Sequence, residues 1–253
     1  MEKRTVLSLG YSTLSLEEAA VFVLRAAREG RALSVFTPGA TVAAAAQKDG
    51  TLLSLLKQAD LLLPDGVGCT LASRLAGAGE LGAVAGIELA ERLLSLAAKE
   101  GMRIFFYGGR EGVALRAAER VLLKHPSLSI ACADGYGEDP IEKITAFRPQ
   151  LLFVCLGFPR QERWIASHKP ILSCPALGLG GTFDVWSGDL RRAPPLIRRM
   201  GLEWLWRTLR QPRRLARLLP LPRYFAACAR AGALRFLQNF QKKRKKTRGS
   251  RKM

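Results

Sequence analysis

The sequence has few of the residues from which metal and disulfide sites are built. Among 253 residues it contains five cysteines and two histidines. The cysteines are scattered, with no Cys-x-x-Cys pair, and several lie in apolar runs. This predicts reduced thiols in the protein core and disfavours a disulfide framework or a zinc site. No Asp-x-Asp pair or histidine cluster is present, so the sequence implies neither a bound divalent metal nor a cofactor.

Long apolar runs are also missing. The sequence contains no uninterrupted stretch of about 18 apolar residues, the length from which a membrane-spanning helix is recognised. Met1 to Arg4 are not followed by a long apolar segment either, so we expect no secretory signal. Together with the reduced cysteines, these absences favour a cytoplasmic protein.

Acidic residues are nearly absent from the last quarter of the chain. Residues 1–190 contain 20 basic and 20 acidic residues, whereas residues 191–253 contain the other 20 basic residues and a single acid, Glu203. The whole net charge of +19 therefore belongs to this last segment. The break predicts a core over residues 1–195 and a basic amphipathic appendage over residues 196–253, with a disordered Lys/Arg-rich end.

Before that break, short apolar runs alternate with stretches of helical composition. An apolar run of four to eight residues between turn signals is typical of a buried parallel strand. The alternation predicts an α/β fold with a mainly parallel, Rossmann-like sheet flanked by helices, followed by a C-terminal basic helical appendage. The predicted strands cover residues 33–36, 60–63, 103–107, 128–132, 151–156 and 175–177.

Two of the apolar runs end in glycines that polar residues follow at once. Glycine after a parallel strand lets the backbone approach a ligand closely, at the carboxyl ends where open α/β sheets bind ligands. The polar pair 161–162 is predicted to open a helix that faces this crevice. Taken singly, each cluster is also explained by plain turn structure; their joint occurrence favours a site. The candidate residues are Gly157, Gln161, Glu162, Gly180, Gly181 and Asp184.

Three other predicted strands also end in candidate residues. Asp65 follows a strand, where a carboxylate could accept a proton from an attacking hydroxyl; the alternative is a turn in which it binds its own backbone. Thr37 could bind a ligand or cap the next helix. Gly108 and Gly109 could cradle a diphosphate through their N–H groups. Their segment lacks the full G-x-G-x-x-G spacing and an acidic ribose ligand, so the pattern does not favour a dinucleotide site.

The basic last segment mixes arginine with large apolar residues. Leu205, Trp206 and Leu209 continue a helical stripe that begins at Leu202, and arginine beside such a stripe is typical of helices on an anionic membrane surface. The basic run 242–246 adds attraction to that surface. The alternatives are a solvated tail and a nucleic-acid-binding arm. The zero net charge of residues 1–190 makes nucleic acid the least favoured partner.

Taken together, these segments resemble the WecG/TagA/CpsF family, which is glycosyltransferase family 26. The matches follow the family's order from about residue 30 to residue 215. The matching segments are Thr37-Pro38, Ala59-Asp60, Leu63-Pro64-Asp65-Gly66-Val67-Gly68, Val84-Ala85-Gly86-Ile87, Tyr107-Gly108-Gly109, Gly157-x-Pro159-x-Gln161-Glu162-x-Trp164, Gly178-x-Gly180-Gly181-x-Phe183-Asp184, Arg192-Ala193-Pro194 and Gly201-Leu202-Glu203-Trp204-Leu205.

The resemblance implies an inverting hexosyltransferase that moves a sugar, typically N-acetylmannosamine, from a UDP donor. The implied acceptor is an undecaprenyl-diphosphate-linked sugar in cell-envelope polysaccharide or teichoic-acid synthesis. It further implies a metal-independent reaction on the inner face of the cell membrane. By position, Asp65 is the implied general base, Thr37 an active-site residue and Gln161 a contact of the nucleotide-sugar. Arginine forks pair with phosphate oxygens, so arginines of the appendage are candidates to meet the diphosphate. They are Arg207, Arg213 and Arg214.

Three positions depart from the family's usual pattern. Gly39 stands where asparagine is typical, Ala83 where an arginine is typical, and Glu88 where aspartate is common. The first two changes remove groups that would hold charge or sugar hydroxyls. A second hypothesis is therefore a catalytically weakened member that binds a nucleotide-sugar without turnover. Homo-oligomer formation is left open.

Overall fold

The computed structural model describes residues 1–201, 203–210, 215–216 and 218–249. Its strands and helices alternate along the chain, as predicted. The strands are β1 (Lys3–Val6), β2 (Leu9–Ser12), β3 (Ser34–Phe36), β4 (Leu61–Leu62), β5 (Arg103–Gly108), β6 (Ser129–Ala133), β7 (Leu151–Cys155) and β8 (Ala176–Gly178). The helices are α1 (Leu16–Arg28), α2 (Ala40–Ala46), α3 (Gly50–Lys57), α4 (Val67–Leu75), α5 (Gly86–Ala97), α6 (Val113–Lys124), α7 (Ile141–Phe147), α8 (Arg160–His168), α9 (Thr182–Trp186), α10 (Pro195–Arg199), α11 (Glu203–Arg210) and α12 (Leu221–Gly249).

Six of the strands form one sheet in the order β4-β3-β8-β7-β5-β6. Each neighbouring pair is parallel. The prediction of an α/β fold with a mainly parallel sheet is confirmed. Because all six strands run the same way, the segments that follow them emerge along one edge of the sheet. This carboxyl edge carries the candidate residues.

Helices cover both faces of this sheet, and alternate residues of each strand face opposite layers. In β5, Ile104 and Phe106 pack in the layer that contains α1, α5, α6 and α9. Phe105 and Tyr107 pack in the other layer, with α2, α3, α4, α7 and α8. Burial on both faces explains why the strands are continuous apolar runs without polar alternation.

The N-terminal hairpin is a feature that the sequence did not predict. Strands β1 and β2 pair antiparallel apart from the main sheet, and α1 follows. Its start is a capping box, in which Ser15 Oγ accepts from the Glu18 amide and the Glu18 carboxylate accepts from the Ser15 amide. Such a reciprocal pair satisfies two amides that a helix start otherwise leaves without partners.

The first part of α12 packs on the core. Tyr224 and Cys228 are buried, and Gly232 lies against the end of α4. Arg235 donates to the carbonyl oxygens of Ala76 and Thr5 at 3.0 and 2.9 Å. Spacings of four, four and three residues place these groups on one face of the helix. The boundary of the appendage near residue 195 stays a prediction. Helix α12, which packs on the core, lies in the second half of the predicted appendage. No helix in the described ranges is long and apolar enough to cross a membrane.

Candidate active site at the carboxyl edge of the sheet

The segments that follow β3 and β4 run side by side. The Leu63 amide donates to the Phe36 carbonyl oxygen at 2.9 Å, and the Asp65 amide donates to Pro38 at 3.4 Å. Gly39 and Asp65 form an isolated parallel bridge. Asp65 and Thr37, both partly exposed, therefore leave neighbouring strand ends on the same edge. A proton acceptor and a hydroxyl at such an edge suit a reaction on a bound ligand.

Thr37 is fixed against the start of α5. A Cβ added to Gly86 would lie 2.5 Å from Thr37 Oγ1, so glycine is required for this close approach. The Val84 amide in turn donates to the Pro64 carbonyl oxygen at 2.8 Å, which ties the entry to α5 to the segment bearing Asp65. The Val84-Ala85-Gly86 motif thus positions both residues. Its role had not been predicted, although the motif itself was visible in the sequence.

A buried thiol is hydrogen-bonded to the backbone of the segment after β3. Cys69 Sγ donates to the Pro38 carbonyl oxygen at 3.3 Å. Burial, and then the neighbouring Asp65 charge, raises the pKa of Cys69 to about 12, so it is a neutral thiol and a poor nucleophile at neutral pH. Burial also raises the pKa of Tyr11 and Tyr224, whose surroundings include Cys69 and Cys228. These four side chains connect α12 to the segment after β3, which carries Thr37.

Gln161 links the loops that follow β7 and β8. Its Oε1 accepts from the Gly180 amide at 2.8 Å, and its Nε2 donates to Glu162 Oε1 at 3.0 Å. A Cβ added to Gly178 would lie 3.0 Å from Gln161 Nε2 and 3.1 Å from Phe36 Cδ1. The carboxamide is therefore next to the end of β3. Both Gln161 and Glu162 are buried at the start of α8, which begins at Arg160, one residue before the predicted start.

At Gly108 and Gly109, the backbone at the end of β5 lies very close to the backbone at the end of β7. A Cβ on Gly108 would lie 2.5 Å from the Cys155 carbonyl carbon and oxygen, and its φ of 130° is open to glycine alone. The Gly109 amide donates to the Cys155 carbonyl oxygen at 3.0 Å. That N–H is already engaged within the protein. The predicted diphosphate cradle at Gly108 and Gly109 therefore needs other donors, and it stays a prediction.

The remaining glycine candidates lie on the loops that follow β7 and β8, which Gln161 links. Gly157 has a φ of 73° and Gly180 a φ of 58°, in the left-handed region that favours glycine. A Cβ on Gly181 would lie 3.2 Å from Asp184 Oδ2, so this carboxylate rests against the first turn of α9. Along the edge from β4 to β5, four strand spacings cover about 19 Å. The segments that carry Asp65, Thr37, Gly180, Gly157 and Gly108 leave the sheet along this span.

Arg192 connects the core to the segment that follows it. Its Nη2 lies 2.8 Å from Glu88, its Nη1 3.6 Å from Glu91 and its Nε 3.9 Å from Glu203. Only 14% of the arginine side chain is exposed. Glu88 and Glu91 belong to α5 and Glu203 to α11, so one guanidinium holds these two helices together. The sequence offered a signal in the Arg192-Ala193-Pro194 motif, but no role was predicted for it.

Several predictions fall beyond what the structure describes. Arg213 and Arg214 lie outside the described residues, and Arg207 is described only as part of helix α11. Leu202, the first residue of the predicted stripe, also lies outside them. Within the described part of the chain, no three His, Cys, Asp or Glu side chains gather as a metal site would require.

Comparison with known proteins identifies the family to which these motifs belong. The model of the glycosyl transferase WecG/TagA/CpsF family matches residues 4–238. The chain belongs to this family. The resemblance read from the motifs is therefore confirmed, and the glycosyltransferase class follows from membership. The match runs through α10 and α11 and includes the docked part of α12.

Curated relatives share most of their length with the chain. A Bacillus spizizenii protein is 40% identical over 179 residues, which cover 69% of this chain and 70% of the relative. A Bacillus subtilis protein is 34% identical over 200 residues, 77% of each. A Staphylococcus aureus protein is 32% identical over 184 residues, 71% of this chain and 72% of the relative. All three are named N-acetylglucosaminyldiphosphoundecaprenol N-acetyl-beta-D-mannosaminyltransferase.

Proposed function

We propose that this WecG/TagA/CpsF member transfers N-acetylmannosamine or a related hexose from a UDP donor to a polyprenyl-diphosphate-linked sugar. The observation that carries the proposal is that Asp65 and Thr37 lie at the ends of adjoining strands, where Gly39 bridges Asp65, with Gln161 next to the same edge. The relatives' shared name supplies the acceptor class and the sugar.

In the proposed reaction, Asp65 acts as the general base. The acceptor hydroxyl attacks the anomeric carbon and gives its proton to the Asp65 carboxylate, while the bond from that carbon to the UDP oxygen breaks. Direct displacement inverts the configuration at the anomeric carbon. UDP leaves with its added charge stabilised by arginines of the appendage, for which Arg207, Arg213 and Arg214 are the candidates, without a metal ion.

An Asp65→Asn variant tests this role. The amide keeps the shape of the side chain and cannot take up the proton, so transfer should fall by 100-fold or more, in line with a typical general-base contribution of about 10²–10⁴. The UDP-sugar dissociation constant should change little. Asp189→Asn, which alters an exposed pair with Arg116, is the matched control. Full transfer activity in Asp65→Asn would remove Asp65 from the mechanism.

The departures at Gly39 and Ala83 support the second hypothesis, a weakened nucleotide-sugar-binding protein. Gly39 lies at the site itself, since a Cβ there would be 3.5 Å from the Asp65 carbonyl oxygen. This is ordinary contact distance, so a side chain can begin at that position. UDP release with and without lipid-linked acceptor separates an enzyme from a binder. If the protein binds UDP-sugar without releasing UDP, and Gly39→Asn with Ala83→Arg restores release, the weakened-member hypothesis holds.

We also propose that residues 196–253 place the protein on an anionic membrane surface at the inner face of the cell membrane. Large apolar side chains of this segment are exposed, among them Leu196, Met200, Leu209 and Leu219. These apolar residues lie within residues 191–253, which carry the net charge of +19. Exposed apolar groups beside basic residues suit the headgroup region of such a membrane.

Charge substitution is the appropriate test, because deleting residues 196–253 would strip the docked part of α12 from the core. Replacing basic residues 242–246 by Gln should reduce binding to phosphatidylserine vesicles by at least tenfold, at about 1 kcal/mol of attraction per basic residue. The matched control replaces five exposed lysines of the core by Gln. These are Lys48, Lys57, Lys99, Lys124 and Lys143. Equal vesicle binding by both variants would contradict the proposal, and salt-sensitive RNA binding without vesicle binding would favour the nucleic-acid alternative.

A further inference from the structure

Glu162 is a buried carboxylate at the start of α8. Its residue surface is 4% exposed, and its Oε1 accepts a hydrogen bond from Gln161 Nε2 at 3.0 Å. Buried carboxylates are rare without a paired charge. The sequence predicts only that Glu162 binds substrate. This does not explain why the position holds a buried carboxylate.

The first oxygen of Glu162 fixes the orientation of Gln161. Because Gln161 Oε1 accepts from the Gly180 amide at 2.8 Å, its Nε2 must face an acceptor, and Glu162 Oε1 provides it. The result is a chain of two hydrogen bonds from the loop after β8 to the Glu162 carboxylate. This chain places the carboxylate close to the carboxyl edge, beside the predicted nucleotide-sugar contact.

The second oxygen of Glu162 receives no hydrogen bond from the described residues. Oε2 is buried there and has no hydrogen-bond partner among them. The hydrogen bonds of the neighbouring arginines of α8 go elsewhere: Arg160 donates to the Gly135 carbonyl oxygen at 3.0 Å and Arg163 to Asp49 at 3.3 Å. A buried polar atom without a partner is costly. At the edge of a ligand site, a ligand donor removes that cost.

We infer that Glu162 is a specificity-determining residue whose Oε2 accepts a hydrogen bond from a neutral O–H or N–H group of the bound donor, while Oε1 positions Gln161. At pH 8, where the binding measurements are made and the carboxylate is ionised, it accepts hydrogen bonds and donates none, and it repels phosphate oxygens. Its partner is therefore the transferred sugar or the uridine of the nucleotide-sugar, since the diphosphate carries no such donor. This inference rests on the proposed function, since it concerns the donor of that reaction.

Glu162→Gln tests the inference sharply. The new amide oxygen can still accept from Gln161 Nε2, so the position of Gln161 is kept, while an NH₂ group replaces the accepting Oε2. We expect the dissociation constant for UDP-N-acetylmannosamine to rise roughly tenfold to hundredfold, the usual size of a lost buried hydrogen bond to a charged group. Glu142→Gln, at an exposed first-turn glutamate of α7, is the matched control.

Measuring UDP alone beside UDP-N-acetylmannosamine locates the donor group. A loss confined to UDP-N-acetylmannosamine assigns Oε2 to the transferred sugar, and an equal loss for both assigns it to the uridine, at a ribose hydroxyl or the N3–H of uracil. Thermal unfolding at pH 8 separates this from misfolding, because Glu162→Gln removes a buried charge and should unfold at a higher temperature than the wild type. A variant that is more stable yet binds more weakly supports the inference.

Unchanged binding of both ligands by Glu162→Gln would overturn the inference. If Asp65→Asn still abolished transfer in that case, the proposed function would stand without this role for Glu162. Failure of the wild-type protein to bind or turn over any UDP-sugar would instead remove the proposed function, and the inference with it. A reduced unfolding temperature together with weaker binding would mean that Glu162 acts only in folding, which also contradicts the inference.

Discussion

Gly232 of α12 lies so close to Leu75 of α4 that a Cβ at position 232 would sit 2.1 Å from the Leu75 carbonyl oxygen. The contact is with backbone, which has little freedom to move. Arg235, one turn further along, donates to the Ala76 carbonyl oxygen at 3.0 Å. The absence of a side chain at Gly232 therefore allows α12 to dock on the end of α4.

The first prediction is that Gly232→Ala separates α12 from α4. In a free helix, alanine would be favoured over glycine by about 1 kcal/mol. Here the methyl group overlaps a carbonyl oxygen, and overpacking of this kind costs about 1–3 kcal/mol. We expect a lower free energy of unfolding in urea. Gly82→Ala, where an added Cβ meets nothing within 4 Å, should be near neutral. An unchanged or more stable Gly232→Ala protein would contradict the docking.

The strand ends could be predicted because their signal is local. In β5, an apolar run stops at Gly108, and the predicted strand 103–107 matches Arg103–Gly108 to within one residue. In β8, the run likewise ends at glycine. The parallel direction of the strands then brings these ends to one edge. The general location of the candidate site therefore follows from short apolar runs and the glycines that close them.

The contacts within the site could not be predicted in this way. Gln161 and Gly180 are 19 residues apart, and nothing in their spacing says that one accepts from the other. The hairpin was missed because its turn contains Leu7 at a φ of 52°, without the Asn or Gly that marks most hairpin turns. For α12, the four-residue spacing of Tyr224, Cys228 and Gly232 is a signal for a helix face that packs on the core, although the basic residues around it favour a membrane surface.

The second prediction concerns Thr37. Replacing Gly86 by Ala would place a Cβ 2.5 Å from Thr37 Oγ1 and 3.6 Å from Leu179. The hydroxyl must move, so a site that uses it should lose activity. Misplacement by about 1 Å can cost on the order of 100-fold, and we expect kcat/KM for transfer to fall at least tenfold. If Gly86→Ala folds as stably as the wild type and transfers at the wild-type rate, Thr37 has no role at the site.

The third prediction concerns Arg192, whose guanidinium faces Glu88, Glu91 and Glu203. Arg192→Gln leaves three carboxylates without this cation at the junction of α5 and α11. Because the arginine is mostly buried, we expect a loss of about 1–3 kcal/mol in the free energy of unfolding. Limited proteolysis should also cut faster after position 192. Arg116→Gln, which breaks an exposed pair with Asp189, should cost less than about 1 kcal/mol.

A salt titration adds an independent check on Arg192. The Arg116 pair is exposed and should be screened by salt, whereas a mostly buried group is screened much less. The stability difference between wild type and Arg192→Gln should therefore persist from low to high ionic strength. Equal, salt-sensitive effects of the two arginine substitutions would show that Arg192 is an ordinary surface ion pair and does not hold the helices together.

The fourth prediction follows from the burial of Glu162, which raises its pKa from the ordinary value of 4.5 to about 7. Between these values the folded protein keeps a proton that the unfolded chain has released. The free energy of unfolding therefore falls as pH rises from about 4.5 to about 7, and the loss is complete above that range. A shift of this size corresponds to about 3 kcal/mol at most.

Glu162→Gln removes this titration, so the variant should gain stability relative to wild type as pH rises. Urea denaturation at pH 5, 6, 7 and 8 should show a difference that grows by about 1–3 kcal/mol across the series. Glu142→Gln, at an exposed glutamate, should track the wild type throughout. A difference that is constant with pH would mean that Glu162 ionises as in the unfolded chain. That result would show that its carboxylate is solvated in the folded protein, and the buried oxygen would no longer need a ligand partner.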